Sequence, residues 1–186
     1  MINIRLYGLI LTVAIFSFLA ADTAECRNMI KDPGVNDIAA GHWLSWARKG
    51  KPVIKIDNTV GHSDNTSLMI SSPEKGTDAV WLQNVYLIKW QTYEYSFWFR
   101  TAEPNGIVSF LAEFSNADGV YMGQNNVQHR SNGTDWTYAS GIFKSPVTGK
   151  VLYDLWVNLD NAGTGTAWFD DMSLKRAFPA KIDVDL

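Results

Sequence analysis

The stretch Tyr93-Glu94-Tyr95-Ser96-Phe97-Trp98-Phe99-Arg100 decides the fold. Side chains of a β-strand alternate between its two faces, so Tyr93, Tyr95, Phe97 and Phe99 share one face and Glu94, Ser96, Trp98 and Arg100 the other. Four aromatic rings on one face require a second apolar layer to cover them, while the opposite face is composed to meet water. The segment from Val151 to Leu159 repeats the pattern. Val151, Tyr153, Leu155, Val157 and Leu159 fall inward, and Asp154, Trp156 and Asn158 outward. In both segments a tryptophan is left among polar neighbours.

Outward from these two segments, short alternating runs recur between turn formers, and no helical period follows the first 21 residues. Strands are expected near Val53 to Asp57, Ser67 to Ser71, Ala79 to Tyr86, Thr92 to Thr101, Ile107 to Ser115, Trp136 to Phe143, Val151 to Leu159 and Thr166 to Lys175. Asp32-Pro33-Gly34, Glu103-Pro104-Asn105-Gly106, Asp118-Gly119, Ser131-Asn132-Gly133 and Asn161-Ala162-Gly163 mark the turns. Gly119 to Asn132 is polar and weakly periodic, which suits a long loop or an irregular strand near a binding edge. The pattern is all-β, a two-sheet β-sandwich.

The termini bound the domain. Arg5, an apolar run from Leu6 to Ala21 and the small residues after it read as a signal peptide over 1–21, with cleavage expected after Ala21 or Ala24. The expected location is therefore secreted, extracellular or periplasmic. An uncleaved run, or a lipid on Cys26, would instead anchor the chain to a membrane. Residues 22–27 are a flexible start, 28–176 one sandwich domain and 177–186 a tail. Cys26 is the only cysteine, so stability must come from a packed core and not from an internal disulfide. A net charge of −3 without a basic stripe excludes nucleic acid as a partner.

In order along the chain stand Asn28-Met29-Ile30-Lys31-Asp32-Pro33-Gly34-Val35, Gly61-His62-Ser63-Asp64-Asn65-Thr66-Ser67-Leu68, Trp81-Leu82-Gln83, the Tyr93 to Arg100 strand, Thr134-Asp135-Trp136 and Trp168-Phe169-Asp170-Asp171-Met172-Ser173-Leu174. In this order and spacing the chain resembles the cellulose- and xylan-type carbohydrate-binding modules of families four, nine and twenty-two, over about Asn28 to Arg176. The resemblance implies a jelly-roll sandwich of galactose-binding-like topology, a sugar site on the concave sheet and a structural calcium away from it. Two features depart from the pattern. Val35-Asn36-Asp37 stands where the family usually has a glutamate, and the chain carries no catalytic domain of the kind such modules accompany. It is therefore expected to bind sugar alone or to serve a polysaccharide-degrading enzyme in trans.

Parity locates the candidate site. Val80 and Leu82 are expected inward with Trp81 and Gln83 outward, and Val108, Phe110, Ala112 and Phe114 inward with Ser109, Leu111 and Glu113 outward. If these strands share a sheet, one face collects Trp81, Gln83, Trp98, Arg100, Glu113, Trp156 and Asn158. Indole faces cover the apolar side of a pyranose while amides, carboxylate and guanidinium satisfy its hydroxyls. A β-glucan or xylan is the expected polysaccharide. Trp43 and Trp46 either rim the cleft or close the sandwich edge. Asp170 and Asp171, near Asp57 to Asn65 in the expected fold, are the candidate calcium ligands. Two other readings stay open. Glu113 and Asp154 would be the carboxyl pair of a small glycoside hydrolase or lyase, since such a pair must flank the glycosidic bond. Alternatively, the aromatic face would belong to an adhesion or scaffold protein and meet a protein partner.

Overall fold

The computed structural model describes residues 27–72, 78–104, 106–116, 118–157 and 165–177, with the backbone alone for 152–157. The expected signal peptide, most of the flexible start, Asn158 and residues 178–186 lie outside the described residues.

Among the described residues ten strands follow one 3-10 turn at Ile38–Ala40. They are β1 (Leu44–Lys49), β2 (Val53–Asp57), β3 (Ser67–Ser72), β4 (Asp78–Leu87), β5 (Thr92–Thr101), β6 (Ile107–Ser115), β7 (Tyr121–Arg130), β8 (Thr137–Lys144), β9 (Gly149–Val157) and β10 (Gly165–Arg176). They form two five-stranded antiparallel sheets. The first has the order β1-β4-β9-β6-β7 and the second β2-β3-β10-β5-β8. The eight expected strands are all present: β2, β5 and β6 match residue for residue, the others differ by one or two residues at an end, and the expected end at Leu159 lies outside the described residues. Two strands are additional: β1, and β7, which forms from the polar stretch for which a long loop or an irregular strand is expected.

Burial follows the alternation of β5, where Tyr93, Tyr95, Phe97 and Phe99 are fully buried. From the other sheet Val108, Phe110, Ala112 and Phe114 meet them, and Tyr95 stacks on Phe110 with ring centroids 3.8 Å apart. Phe169, Leu174, Leu68 and Ile70 complete the second sheet's contribution. Each such side chain contributes roughly 1.5–3 kcal/mol on burial, so the core alone accounts for a fold with no internal disulfide. Gly141, directly opposite Tyr95 in the β5–β8 register, leaves room for that ring. A Cβ at Gly141 would stand 2.6 Å from the tyrosine hydroxyl.

The N-terminal segment closes one edge of the sandwich. Met29 N donates to Leu174 O, and Asn28 bridges to β10 by donating to Met172 O and accepting from Leu174 N. On the other side Gln83 of β4 holds both backbone groups of Lys31, accepting from its N–H at 2.8 Å and donating to its carbonyl at 2.9 Å.

Candidate functional site

The residues collected by parity do not share one face. β5 belongs to the second sheet, whereas β4, β6 and β9 belong to the first, so Trp98 and Arg100 stand on the far side of the core from Glu113. Trp81 and Gln83 are corrected as well. They point inward, only 6% and 4% exposed, with the Trp81 indole N–H donating to Met69 O and Gln83 spent on Lys31. The physical reason is that β4 is buried on both faces: Val80 and Leu82, on its outward side, are buried too. Alternation then carries no information about which side is the core.

Trp98 and Arg100 do face outward, but each is engaged by the protein itself. The Trp98 indole stacks on His62 at 4.0 Å and lies against Tyr138 at 5.3 Å. Arg100 donates from Nε to Thr134 O and covers the Trp168 ring, whose own N–H is held by Asp57. These contacts fix the 61–66 loop and the 134–136 turn to the second sheet. Trp43 closes the sandwich, buried, with its indole N–H on Asp32 O.

The outer face of the first sheet has a different construction. Its outward residues on the central strands form a buried floor of Val80, Leu82, Ser109 and Leu111. In the register Trp156 stands between Val80 and Ser109, in the middle of that floor. At one rim, edge strand β7 exposes Gln124, Asn126 and Gln128, which pair in register with Glu113, Leu111 and Ser109 respectively. At the other rim stands Trp46, 54% exposed, and Asn84 is exposed on β4. Each amide offers both donors and acceptors, so this row can match hydroxyl groups of either polarity. The Ser109 hydroxyl is buried with no hydrogen-bond partner among the described residues. Sequence reasoning missed the amide row because β7 has no apolar alternation. Its signal was the recurrence of Gln124, Asn126 and Gln128 at every second position.

Asp170 and Asp171 have separate roles. The Asp170 carboxylate is fully buried and accepts backbone N–H groups of His62, Ser63 and Asp171, while burial pushes its carboxyl up to about 6. Asp171, at a β-bulge with φ of 50°, accepts from Ser63 Oγ and meets His62 Nδ1 at 2.7 Å. Close by, the single Thr66 hydroxyl faces three acceptors, Gly34 O, Asn36 Oδ1 and Asp64 Oδ1. Asp64 is also satisfied by the Thr66 N–H and the Asn36 side chain, so Gly34 O and Asn36 Oδ1 are the oxygens left for a hard cation to share. Among the described residues no three His, Cys, Asp or Glu side chains form a metal cluster. A calcium here would rely on carbonyl and amide oxygens beside Asp171.

No family model and no curated protein matches this sequence. Solved structures do share its architecture. A family 61 carbohydrate-binding module in complex with β-1,4-galactotriose aligns with a TM-score of 0.57 and 18% identity over 81% of this chain and 99% of the module. The tandem family 22 modules of Paenibacillus barcinonensis Xyn10C align with a TM-score of 0.61 and 20% identity, over 81% of this chain and 51% of theirs. The enzymatically active domain of bacteriophage CBA120 tailspike protein 4 gives a TM-score of 0.64 at 12% identity, and the chain spans 81% of its own length but only 21% of that protein. At these identities the likeness is one of fold: this chain has the two-sheet β-sandwich of carbohydrate-binding modules.

Proposed function

We propose that the chain is a non-catalytic carbohydrate-binding domain that takes a neutral polysaccharide on the outer face of the first sheet. The observation that carries the reading is the row Gln124, Asn126 and Gln128 exposed along edge strand β7, with Glu113 next to it and the exposed Trp46 at the opposite rim. Uncharged donors and acceptors on a face with an exposed indole complement a sugar ring, which has hydroxyls at its rim and C–H groups on its faces. The fold shared with a module bound to β-1,4-galactotriose and with a xylan-binding family 22 domain supports the same class of ligand. A β-glucan, xylan or galactan backbone is the substrate class to test. In this reading residues 1–21 export the protein, it works alone or beside a degrading enzyme, and calcium at the Asp171 and Asn36 loops is structural.

One observation favours a catalytic alternative. The register sets Asp154 opposite Leu111, so Asp154 and Glu113 stand on a diagonal of adjacent strands, about 7–8 Å apart at the backbone, and on the same face of the sheet. Affinity electrophoresis against soluble polysaccharides, with reducing ends counted in parallel, decides between them. Retarded migration without new ends supports binding, while new ends that disappear in Glu113→Gln establish hydrolysis.

A further inference from the structure

We infer that the domain has a second ligand site, for an anionic glycan, in the groove beside its N-terminal segment. The groove encloses about 920 Å³, and Arg27, Lys31 and Arg176 line it with a single described carboxylate, Asp32. Asp32 is already engaged, its Oδ1 accepting from Asn36 N at 2.7 Å. In a chain of net charge −3 this is a local reversal of sign. Two exposed apolar side chains share the groove, Tyr86 at 61% and Ile88 at 43%.

The walls are set before any ligand arrives. Lys31 is clamped through both backbone groups by the buried Gln83 amide, and the preceding residues are tied to β10 through Asn28 and Met29. Two residues beyond Ile88, Trp90 holds a left-handed backbone at φ 68°, with its N–H on Ser145 O. The Lys89 and Lys144 ammonium groups lie 5.0 and 5.5 Å from its ring centre. Cations therefore continue past the groove along the same end of the sandwich.

Concavity, an exposed tyrosine face and separated cations suit a chain of sugar rings bearing carboxylates or sulfates. Each ring can lie on an apolar surface while its anionic substituent meets a fixed charge. A membrane surface needs protruding apolar groups rather than a groove. The amide row on β7 is three strands from β4 in the first sheet, roughly 14 Å at the usual strand spacing, so the cations of the groove stand apart from that row, while Asn84 at the far rim of the neutral site adjoins Tyr86 along β4.

Titration calorimetry of the purified protein tests the site with oligogalacturonate, a sulfated oligosaccharide and a neutral oligogalactoside of equal length, and with phosphatidylglycerol vesicles. The expected result is saturable binding of the carboxylated or the sulfated oligosaccharide, whichever chemistry the groove prefers, weakening as salt screens the exposed Arg27 and Lys31. Lys31→Glu should lower that affinity roughly tenfold or more, as expected for reversing a charge at a contact, and Tyr86→Ala should also weaken it. Lys51→Glu, also exposed but outside the groove, should not, and neutral-glycan binding should survive Lys31→Glu. Equal affinity in Lys31→Glu and Lys51→Glu, binding of vesicles alone, or no saturable binding of either anionic glycan at low salt would each overturn the proposal.

Discussion

The Tyr95 hydroxyl and His129 Nε2 are 3.0 Å apart inside the sandwich, so a side-chain hydrogen bond joins β5 of one sheet to β7 of the other. Burial pushes the Tyr95 hydroxyl up to about 12 and draws the His129 imidazole down. The pair is therefore a neutral phenol donating to a neutral imidazole. Tyr95→Phe removes the donor and leaves a buried ring nitrogen unpaired, with an expected loss of about 1–3 kcal/mol, measured by denaturant unfolding.

The same pair sets a pH dependence. His129 has a folded pKa below the ordinary 6.5, so below that value the unfolded chain binds the extra proton. The histidine's contribution is complete above about 6.5 and is lost as pH falls toward its folded pKa. Asp170, raised to about 6, acts in the opposite direction over its own range. The measurement is thus the difference between wild type and His129→Gln, which keeps an acceptor for Tyr95. The stability of the wild type should fall relative to the variant between pH 7 and pH 5; parallel curves would contradict the assignment.

Gly141→Ala should destabilise by about 1–3 kcal/mol, because its methyl would overlap the buried Tyr95 ring at 2.6–2.8 Å and that ring is itself packed on Phe110. Combining it with Tyr95→Leu should recover part of the loss, a coupling readable in a double-mutant cycle.

Trp98→Ala and Asn126→Ala should separate stability from binding. Trp98 is stacked on His62 and packed on Tyr138, so its loss should lower the melting temperature and loosen the 61–66 loop while glycan affinity per folded molecule is kept. Asn126 is exposed on the amide row, so its loss should weaken glycan binding by about 1 kcal/mol with the melt unchanged. Glycan affinity lost in Trp98→Ala and kept in Asn126→Ala would move the site to the second sheet.

A calcium bound at the Asp171 and Asn36 loops would stabilise only the folded state. Chelation should then lower the melting temperature, excess calcium restore it, and Asp171→Asn remove the response. A melt indifferent to chelator would exclude the ion.

The sandwich is legible in the sequence wherever one face of a strand is apolar and the other polar. β5 shows this, and in β6 the alternation still selects the inward residues although Ser109 and Leu111 on its other face are buried too. Legibility ends at three places. In β4 the run Val80-Trp81-Leu82 is buried on both faces, so parity has no contrast to use. In β7 the inward positions include Asn125 and His129, so no apolar period announces a strand. Parity also assigns a face without assigning a sheet. The turn between β4 and β5 crosses from one sheet to the other, which separates Trp98 and Arg100 from the residues they were grouped with.

β10, the last strand, lies third of five in the second sheet, between β3 and β5. That position imposes an order of events on synthesis. Until residues 165–176 emerge, β2-β3 and β5-β8 are two unconnected pairs, and the aromatic face of β5 has an open edge beside it. Asn28 likewise waits for partners 144 and 146 positions away. Contacts of such separation close slowly, so the nascent chain must be held soluble until it is complete. A truncation before β10 should yield an aggregating fragment rather than a smaller domain.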